Sequence, residues 1–326
     1  MREVSVDIER FPIAGSFTIS RGSRTEAVVV SVRIREGQHA GQGECVPYAR
    51  YGESVESVVQ QIEGIGAQLG SGIGREELLT LLPAGAARNA VDCALWDLEA
   101  RQRGISVAVL AGHSPLRPVV TCYTLSLGTP ESMREAAAKA AHRPLLKVKL
   151  GGDGDPERIA AVREGAPASR LVVDANEAWC PHNLATNLAA CAAAGVELVE
   201  QPLPAGDDAA LADIRSGIAI CADESVHDFA SLAHLPRWYT AINIKLDKTG
   251  GLTDALKLLD AAKARGLGIM VGCMLGTSLA MRPAVILAQN ADVVDLDGPL
   301  LLAKDRDNPL RYEGSLLVPD TEGSVP

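Results

Sequence analysis

At 326 residues the chain is too long for one small core and fits either one large α/β barrel or two domains. Hydrophobic residues at 47% and charged residues at 22% exclude a disordered chain. A net charge of -10 excludes the basic face that a nucleic-acid partner needs.

Residues 1–115 read as an α+β capping domain. The β-branched run at 28–35, VVVSVRIR, is strand-like. Residues 41–44 and 47–52 are turn-rich and read as loops. Ser54 begins a helical stretch, and residues 87–104 carry apolar side chains at helical spacing up to a closing glycine. A break follows at 112–118.

Beyond the break the pattern changes. Short apolar runs begin at residues 119, 145, 170, 196, 218, 241, 268 and 293, each followed by a stretch of helical pattern. Strands alternating with helices at this spacing suggest βαβ units, and eight of them a barrel. The expected fold is α/β, a modified TIM barrel of the (β/α)7β kind over residues 116–300, with a tail at 301–326 returning to the capping domain. A doubly wound open sheet is the rival, but no G-x-G-x-x-G follows an early strand. Seven cysteines at irregular spacing, without a C-x-x-C, argue against a disulfide framework or zinc site and for a reducing, cytoplasmic compartment. Neither an apolar leader nor a long apolar run is seen, so no signal peptide and no membrane partner is expected.

A TIM barrel carries its active site at the C-terminal ends of its strands. The second run ends on Lys147 and Lys149, the third on Asp174, the fourth on Glu200, the fifth on Asp223, the sixth on Lys245, the seventh on Cys273 and the eighth on Asp295 and Asp297. One such charge alone reads as a solvated strand cap. Charges on most of eight successive strands converge on one rim, and gathered charges are costly unless they have partners or work to do. Asp174, Glu200 and Asp223 repel one another unless a hard dication joins them, and an all-oxygen set without histidine suits Mg²⁺ rather than zinc. Lys149 and Lys245 flank the acids on opposite sides. A lysine near a dication and a second lysine has its pKa lowered toward that of a base, and strand alternation turns Lys147 to the same face as Lys149. Two bases across one carbon are what racemisation or epimerisation requires.

These residues carry a family resemblance. K-V-K, V-D-A-N-E-A-W, V-E-Q-P, A-D-E-S and N-I-K-L-D-K-x-G-G resemble the muconate lactonising subgroup of the enolase superfamily, and D-L-D at the eighth strand is similar to the D-x-D of its dipeptide epimerases. The resemblance implies one Mg²⁺ per subunit on Asp174, Glu200 and Asp223, and acid–base catalysis by Lys149 and Lys245. It implies substrate contacts from Thr124, Lys147 and Cys273, and a dipeptide α-ammonium held by Asp295 and Asp297. Loops near residues 20 and 50 would close over the site, with Arg24 pairing a glutamate side chain; Arg21 reads as ordinary surface charge. Gly276 departs from many relatives, which carry a larger or acidic residue. The implied reaction is epimerisation of the C-terminal residue of a dipeptide, L-Ala-D-Glu to L-Ala-L-Glu, in cell-wall peptide recycling. Another cycloisomerase or lyase of the superfamily, an epimerase for a different dipeptide, and a non-catalytic binding barrel stay open, as does assembly into a homo-oligomer.

Overall fold

A computed structural model of the chain describes residues 1–319. An antiparallel sheet comes first, β1 (Glu3–Ile19), β2 (Gly22–Glu36) and β3 (His39–Cys45), in the order β1-β2-β3. The β1–β2 hairpin turns tightly: Ile19 pairs with Gly22, so Ser20 and Arg21 form its tip. Five helices follow, α1 (Val55–Gly64), α2 (Gly66–Ser71), α3 (Arg75–Leu81), α4 (Ala86–Arg103) and α5 (Val107–Leu110). Ser54 and Ser57 exchange capping hydrogen bonds at the start of α1, and Gly104 ends α4 in the left-handed conformation.

The glycine-rich run at 41–44 is not a loop. It is the centre of β3, and its glycines serve packing rather than turning. A Cβ on Gly41 would lie 2.1 Å from the Ala94 carbonyl oxygen, and one on Gly43 2.1 Å from that of Ala90. Helix α4 therefore rests backbone against backbone on the strand, which only glycine permits.

The second part is an eight-stranded parallel sheet: β5 (Tyr123–Leu125), β6 (Leu145–Lys149), β7 (Arg170–Asp174), β8 (Val196–Glu200), β9 (Ala219–Ala222), β10 (Ala241–Ile244), β11 (Gly268–Gly272) and β12 (Val293–Asp295). The strands run in sequence order, and β5 meets β12 through single bonds: Cys122 N–H donates to the Val294 carbonyl at 2.8 Å and Leu296 N–H to Thr121 Oγ1 at 2.8 Å. Inside, one buried layer takes a residue from each staff of the barrel: Cys122, Leu145, Val172, Leu198, Cys221, Ala241, Met270 and Val293. The small cysteines fill this layer, and every cysteine sulfur is free of disulfides.

Two details differ from the expected pattern. The run at 119–125 splits: β4 (Val119–Val120) leaves the barrel and pairs with β14 (Leu316–Val318), itself paired with β13 (Arg311–Glu313). Helices α6 (Pro130–Ala140), α7 (Asp155–Gly165), α8 (Pro181–Ala193), α9 (Leu246–Thr249), α10 (Leu252–Ala264) and α11 (Ser278–Ala288) cover five crossovers. The crossovers after β8 and β9 carry only 3₁₀ turns, Ala209–Asp213 and Ser231–His234. Beyond α12 (Gly298–Leu301) the chain touches both parts: Leu302 bridges Ile13, and Arg306 pairs with Glu9 and Glu44 before the β13–β14 hairpin docks beside the barrel.

Candidate active site

Strand register sets the site. Lys149 pairs with Asp174, and Asp174 with Glu200, across β6, β7 and β8. Parallel register brings these strand-end side chains to one level, and Asp223 and Lys245 follow just past β9 and β10. All are buried.

The charges interlock. Lys147 Nζ lies 2.6 Å from Asp295, 2.7 Å from Glu200 and 3.3 Å from Asp174. Lys149 Nζ lies 2.5 Å from Asp174, and Lys245 Nζ 2.6 Å from Asp223 and 3.7 Å from Glu200. Lys147 and Lys149 thus reach the same Asp174 oxygen from one strand. Asp295 and Asp297 separate: Asp295 takes Lys147, whereas Asp297 accepts the Thr124 N–H at 2.6 Å.

Protonation follows from these contacts. Burial would raise Asp174, but Lys149 and Lys147 hold it below its ordinary range; Lys245 and Lys248 do the same for Asp223. Glu200 moves up, through burial and the neighbouring Asp174. Burial pushes Asp297 to about 7, with Asp295 adding to the rise. The expectation of depressed lysines does not hold for Lys245. Burial alone would lower it, but Asp223 at 2.6 Å and Glu200 at 3.7 Å pull it up.

The set suits a hard cation by its chemistry. Glu200 Oε2 and Asp223 Oδ1 accept no hydrogen bond although both are buried; only ammonium nitrogens stand beside them, at 2.7 and 2.6 Å. Anionic oxygens in a dry site call for positive charge; here ammoniums supply it, and an all-oxygen set of this kind would accept a hard dication in their place. Among the described residues no three acidic, histidine or cysteine side chains close a ligand set as they lie, because the lysines stand between them.

A cavity of about 420 Å³ opens above this floor. Lys149, Asp223, Lys245 and Cys273 line it from the barrel; Phe17, Arg21 and Arg24 from the β1–β2 hairpin; Tyr48, Arg50 and Tyr51 from the loop after β3. Both loops expected near residues 20 and 50 are here. Lys147, Thr124, Asp174, Glu200, Asp295 and Asp297 lie outside this lining. Arg24 stacks over Tyr48 at 5.8 Å and has no ion-pair partner among the described residues.

Arg21 is not surface charge. At the hairpin tip it donates to the Asn176 carbonyl at 2.9 Å, to Tyr48 Oη at 2.9 Å and to Glu224 Oε1 at 2.9 Å, with Glu177 at 3.3 Å. Glu224 is buried, and burial together with Asp223 pushes its carboxyl to about 8 despite Arg21. Gly276 is not among the residues lining the cavity; a Cβ there would stand 3.0 Å from Glu44 Oε1 and 3.2 Å from Val46 Cγ2. Sequence reasoning also passed over Lys248. Its fully buried ammonium binds Asp223 Oδ1 at 2.6 Å and the carbonyls of Asp223, Val226 and Asn243. Asn243 donates to Glu200 at 2.7 Å. The tyrosines carried a signal: they are two of only five in an aromatic-poor chain, three residues apart in a Pro/Gly-rich loop.

A barrel whose strand-end lysines and carboxylates meet beneath loops of a capping domain defines a class of enzyme that works by proton transfer at a charged site. The chain belongs to the enolase superfamily: residues 1–112 match the mandelate racemase / muconate lactonizing enzyme N-terminal domain, and residues 131–324 the enolase C-terminal domain-like family. It is similar to the L-Ala-D/L-Glu epimerase of Escherichia coli K12, 48% identical over 96% of this chain and 98% of that protein. It is 45% identical to the N-acetyl-D-glutamate racemase of a Pseudoalteromonas species, over 89% of this chain and 93% of that one. An enolase family member from Agrobacterium tumefaciens with homology to dipeptide epimerases, solved with sodium and L-Ala-L-Glu bound and a loop ordered, superposes with a TM-score of 0.97 at 54% identity, covering 98% of each chain. A dipeptide epimerase from Methylococcus capsulatus, solved with Mg and L-Arg-D-Lys, gives 0.88 at 29% identity over 98% of each. The chain is an isomerase of this family.

Proposed function

We propose that the protein interconverts L-Ala-D-Glu and L-Ala-L-Glu by moving the α-proton of the C-terminal residue. The observation that carries this is the pair Lys149 and Lys245, which open into one cavity from opposite flanks of the row Asp174, Glu200 and Asp223. One lysine takes the proton from one face of the α-carbon, and the other returns a proton to the opposite face. Asp174, Glu200 and Asp223 would hold one Mg²⁺ per subunit; bound there, it supplies Lewis-acid stabilisation of the negative charge that builds on the substrate carboxylate. Lys147, under the same carboxylates, adds fixed positive charge to that end of the site. The two loops exclude water above.

Asp295 and Asp297 support a substrate with an amine. Asp295 Oδ1 is buried without a hydrogen-bond partner, and Thr124 orients Asp297 beside it. An α-ammonium one peptide bond from the reacting carbon meets that need. Arg24, lining the cavity without an ion-pair partner among the described residues, suits the glutamate side chain. Cys273 supplies a small wall, and Thr124 acts through Asp297. We extend this reading to residues 1–115 as the capping domain and 116–300 as the barrel, and to cell-wall peptide recycling in the cytoplasm. No helix among the described residues is long and apolar enough to cross a membrane.

An N-acylated glutamate is the second reading, favoured by the similarity to the Pseudoalteromonas racemase. It offers no cation to Asp295 and Asp297. The test is proton NMR in D₂O with Mg²⁺, using both Ala-Glu epimers and N-acetyl-D-glutamate. Deuterium at the glutamate α-position with appearance of the other Ala-Glu epimer supports the proposal. Exchange of N-acetylglutamate alone, or of neither, overturns it.

A further inference from the structure

Asp247 lies two residues beyond Lys245, inside the single turn α9, and is buried. The turn hangs from Lys245 itself, whose carbonyl accepts Lys248 N–H and Thr249 N–H at 3.0 Å each. Asp247 Oδ1 accepts two hydrogen bonds, and both come from the capping domain: Val46 N–H at 2.9 Å and Asn89 Nδ2 at 2.9 Å. Val46 starts the segment that carries Tyr48 and Tyr51 over the cavity. Asn89, on α4, also donates to the carbonyl of Glu44, two residues before Val46. The far end of the segment is fixed separately, through Glu53, which accepts Tyr48 N–H at 2.9 Å and Ala86 N–H at 2.7 Å.

The roof is thus suspended between two carboxylates, and one of them shares a turn with a proton-transfer lysine. An apolar side chain at 247 would leave the Val46 N–H unpaired in a dry site, which costs far more than the bond contributes when made. Nothing in proton transfer itself calls on Asp247: it does not line the cavity, and it reaches the lining only through the backbone of Val46.

We propose that Asp247 is a positioning residue that couples Lys245 to the loop closing over it, so that roof closure and the aim of one of the two proton-transfer groups are set together. The role given to Lys245 rests on the epimerase reading; the link from Asp247 to Val46 does not.

The experiment compares Asp247→Ala and Asp247→Asn in the full-length protein with Mg²⁺, by two readouts. The first is hydrogen exchange of the peptide covering residues 44–52. The second is α-deuteration of each Ala-Glu epimer separately, which reports the two lysines one at a time. In Asp247→Ala the 44–52 peptide exchanges at least about 10-fold faster, and deuteration of one epimer falls about 10-fold or more while the other falls by less than half that factor. Asp247→Asn, which keeps an acceptor oxygen, recovers most of both. Should Asp247→Ala fail to fold, Asn89→Ala removes one donor to the same oxygen and gives the same asymmetry at smaller amplitude. Equal loss for both epimers, unchanged exchange at 44–52, or an Asn variant as impaired as the Ala variant overturns the proposal. If the unaltered protein deuterates neither epimer, the epimerase reading has failed, and faster exchange in Asp247→Ala with recovery in Asp247→Asn still decides the link to the roof.

Discussion

Replacing Arg21 by Ala separates closing the cavity from reading the substrate. The guanidinium ties the hairpin tip to three places at once: the Asn176 carbonyl, Tyr48 Oη and Glu224. A hydrogen bond to a charged group contributes about 1.5–3 kcal/mol. The Arg21 side chain is 26% exposed and its Glu177 contact is long at 3.3 Å, so solvent discounts that arm, whereas Glu224 is 1% exposed and keeps its full contribution. A net loss of about 2 kcal/mol from the closed state is the working figure, or about 30-fold in kcat/KM. Arg21 reaches protein groups only, so the loss is shared by every substrate that needs the closed cavity. Arg24→Ala behaves otherwise: it lowers kcat/KM for Ala-Glu and spares a dipeptide with a neutral C-terminal side chain. The assay is kcat/KM by NMR for one acidic and one neutral dipeptide, with hydrogen exchange over residues 17–26. A drop in Arg21→Ala confined to the acidic dipeptide, or unchanged exchange of the hairpin, would refute the reasoning.

Other predictions follow from the same geometry. Lys149→Ala and Lys245→Ala each abolish epimerisation yet keep α-deuteration of opposite epimers; loss of deuteration from both epimers in either variant contradicts the two-face assignment. Asp92 is buried, and desolvation outweighs its bonds from Thr253, so its carboxyl rises from 3.8 to about 6. The folded state then holds this proton more tightly than the unfolded one, so its stabilisation is complete below the ordinary value and is lost as pH climbs through about 6. Asp92→Asn removes that slope, roughly 3 kcal/mol at most, and urea unfolding between pH 4 and 7 reads it. Gly43→Ala forces α4 off β3 by more than an ångström, since its Cβ meets Ala90 O at 2.1 Å; the expected cost is about 3 kcal/mol, and a change under about 0.5 would mean the helix yields freely.

The barrel and its polar rim were legible because both are local. Each strand announces itself as a short apolar run, and parallel register of nearly constant spacing lines up the residue that ends it. The acids at 174, 200 and 223 could therefore be grouped with no fold in hand. What escaped depends on partners distant in sequence. Gly41 and Gly43 carry the composition of a turn, and the reason for them lies on a helix about fifty residues further on. Arg21 looks like any surface arginine until a two-residue turn delivers it to Glu224, 203 positions away. Strand β1 was passed over although its start alternates, with Val4, Val6 and Ile8 between Glu3, Ser5, Asp7 and Glu9; that signal was legible in the sequence. The 3₁₀ crossovers carry alanine and leucine at helical density, yet Pro236 stops the second within a turn.

The balance of buried charge carries a further consequence for binding. Four ammoniums, Lys147, Lys149, Lys245 and Lys248, face four carboxylates, Asp174, Glu200, Asp223 and Asp295, and the set is neutral as it stands. An added dication alone would leave it strongly positive, and an added substrate carboxylate alone would meet acids already paired. Each is costly in a dry site. Together they leave an excess of about one charge, which loss of a proton from Lys245, freed from the acids that hold it protonated, removes. Mg²⁺ and dipeptide should therefore bind cooperatively, each raising the affinity of the other by the same factor, about 5- to 150-fold. Calorimetry on the unaltered protein, which keeps all four lysines, with the equilibrium mixture of the two Ala-Glu epimers measures both directions, with and without chelation. Affinity for the dipeptide that does not change between chelated and Mg²⁺-loaded protein would show that the carboxylate row does not hold the ion beside the substrate.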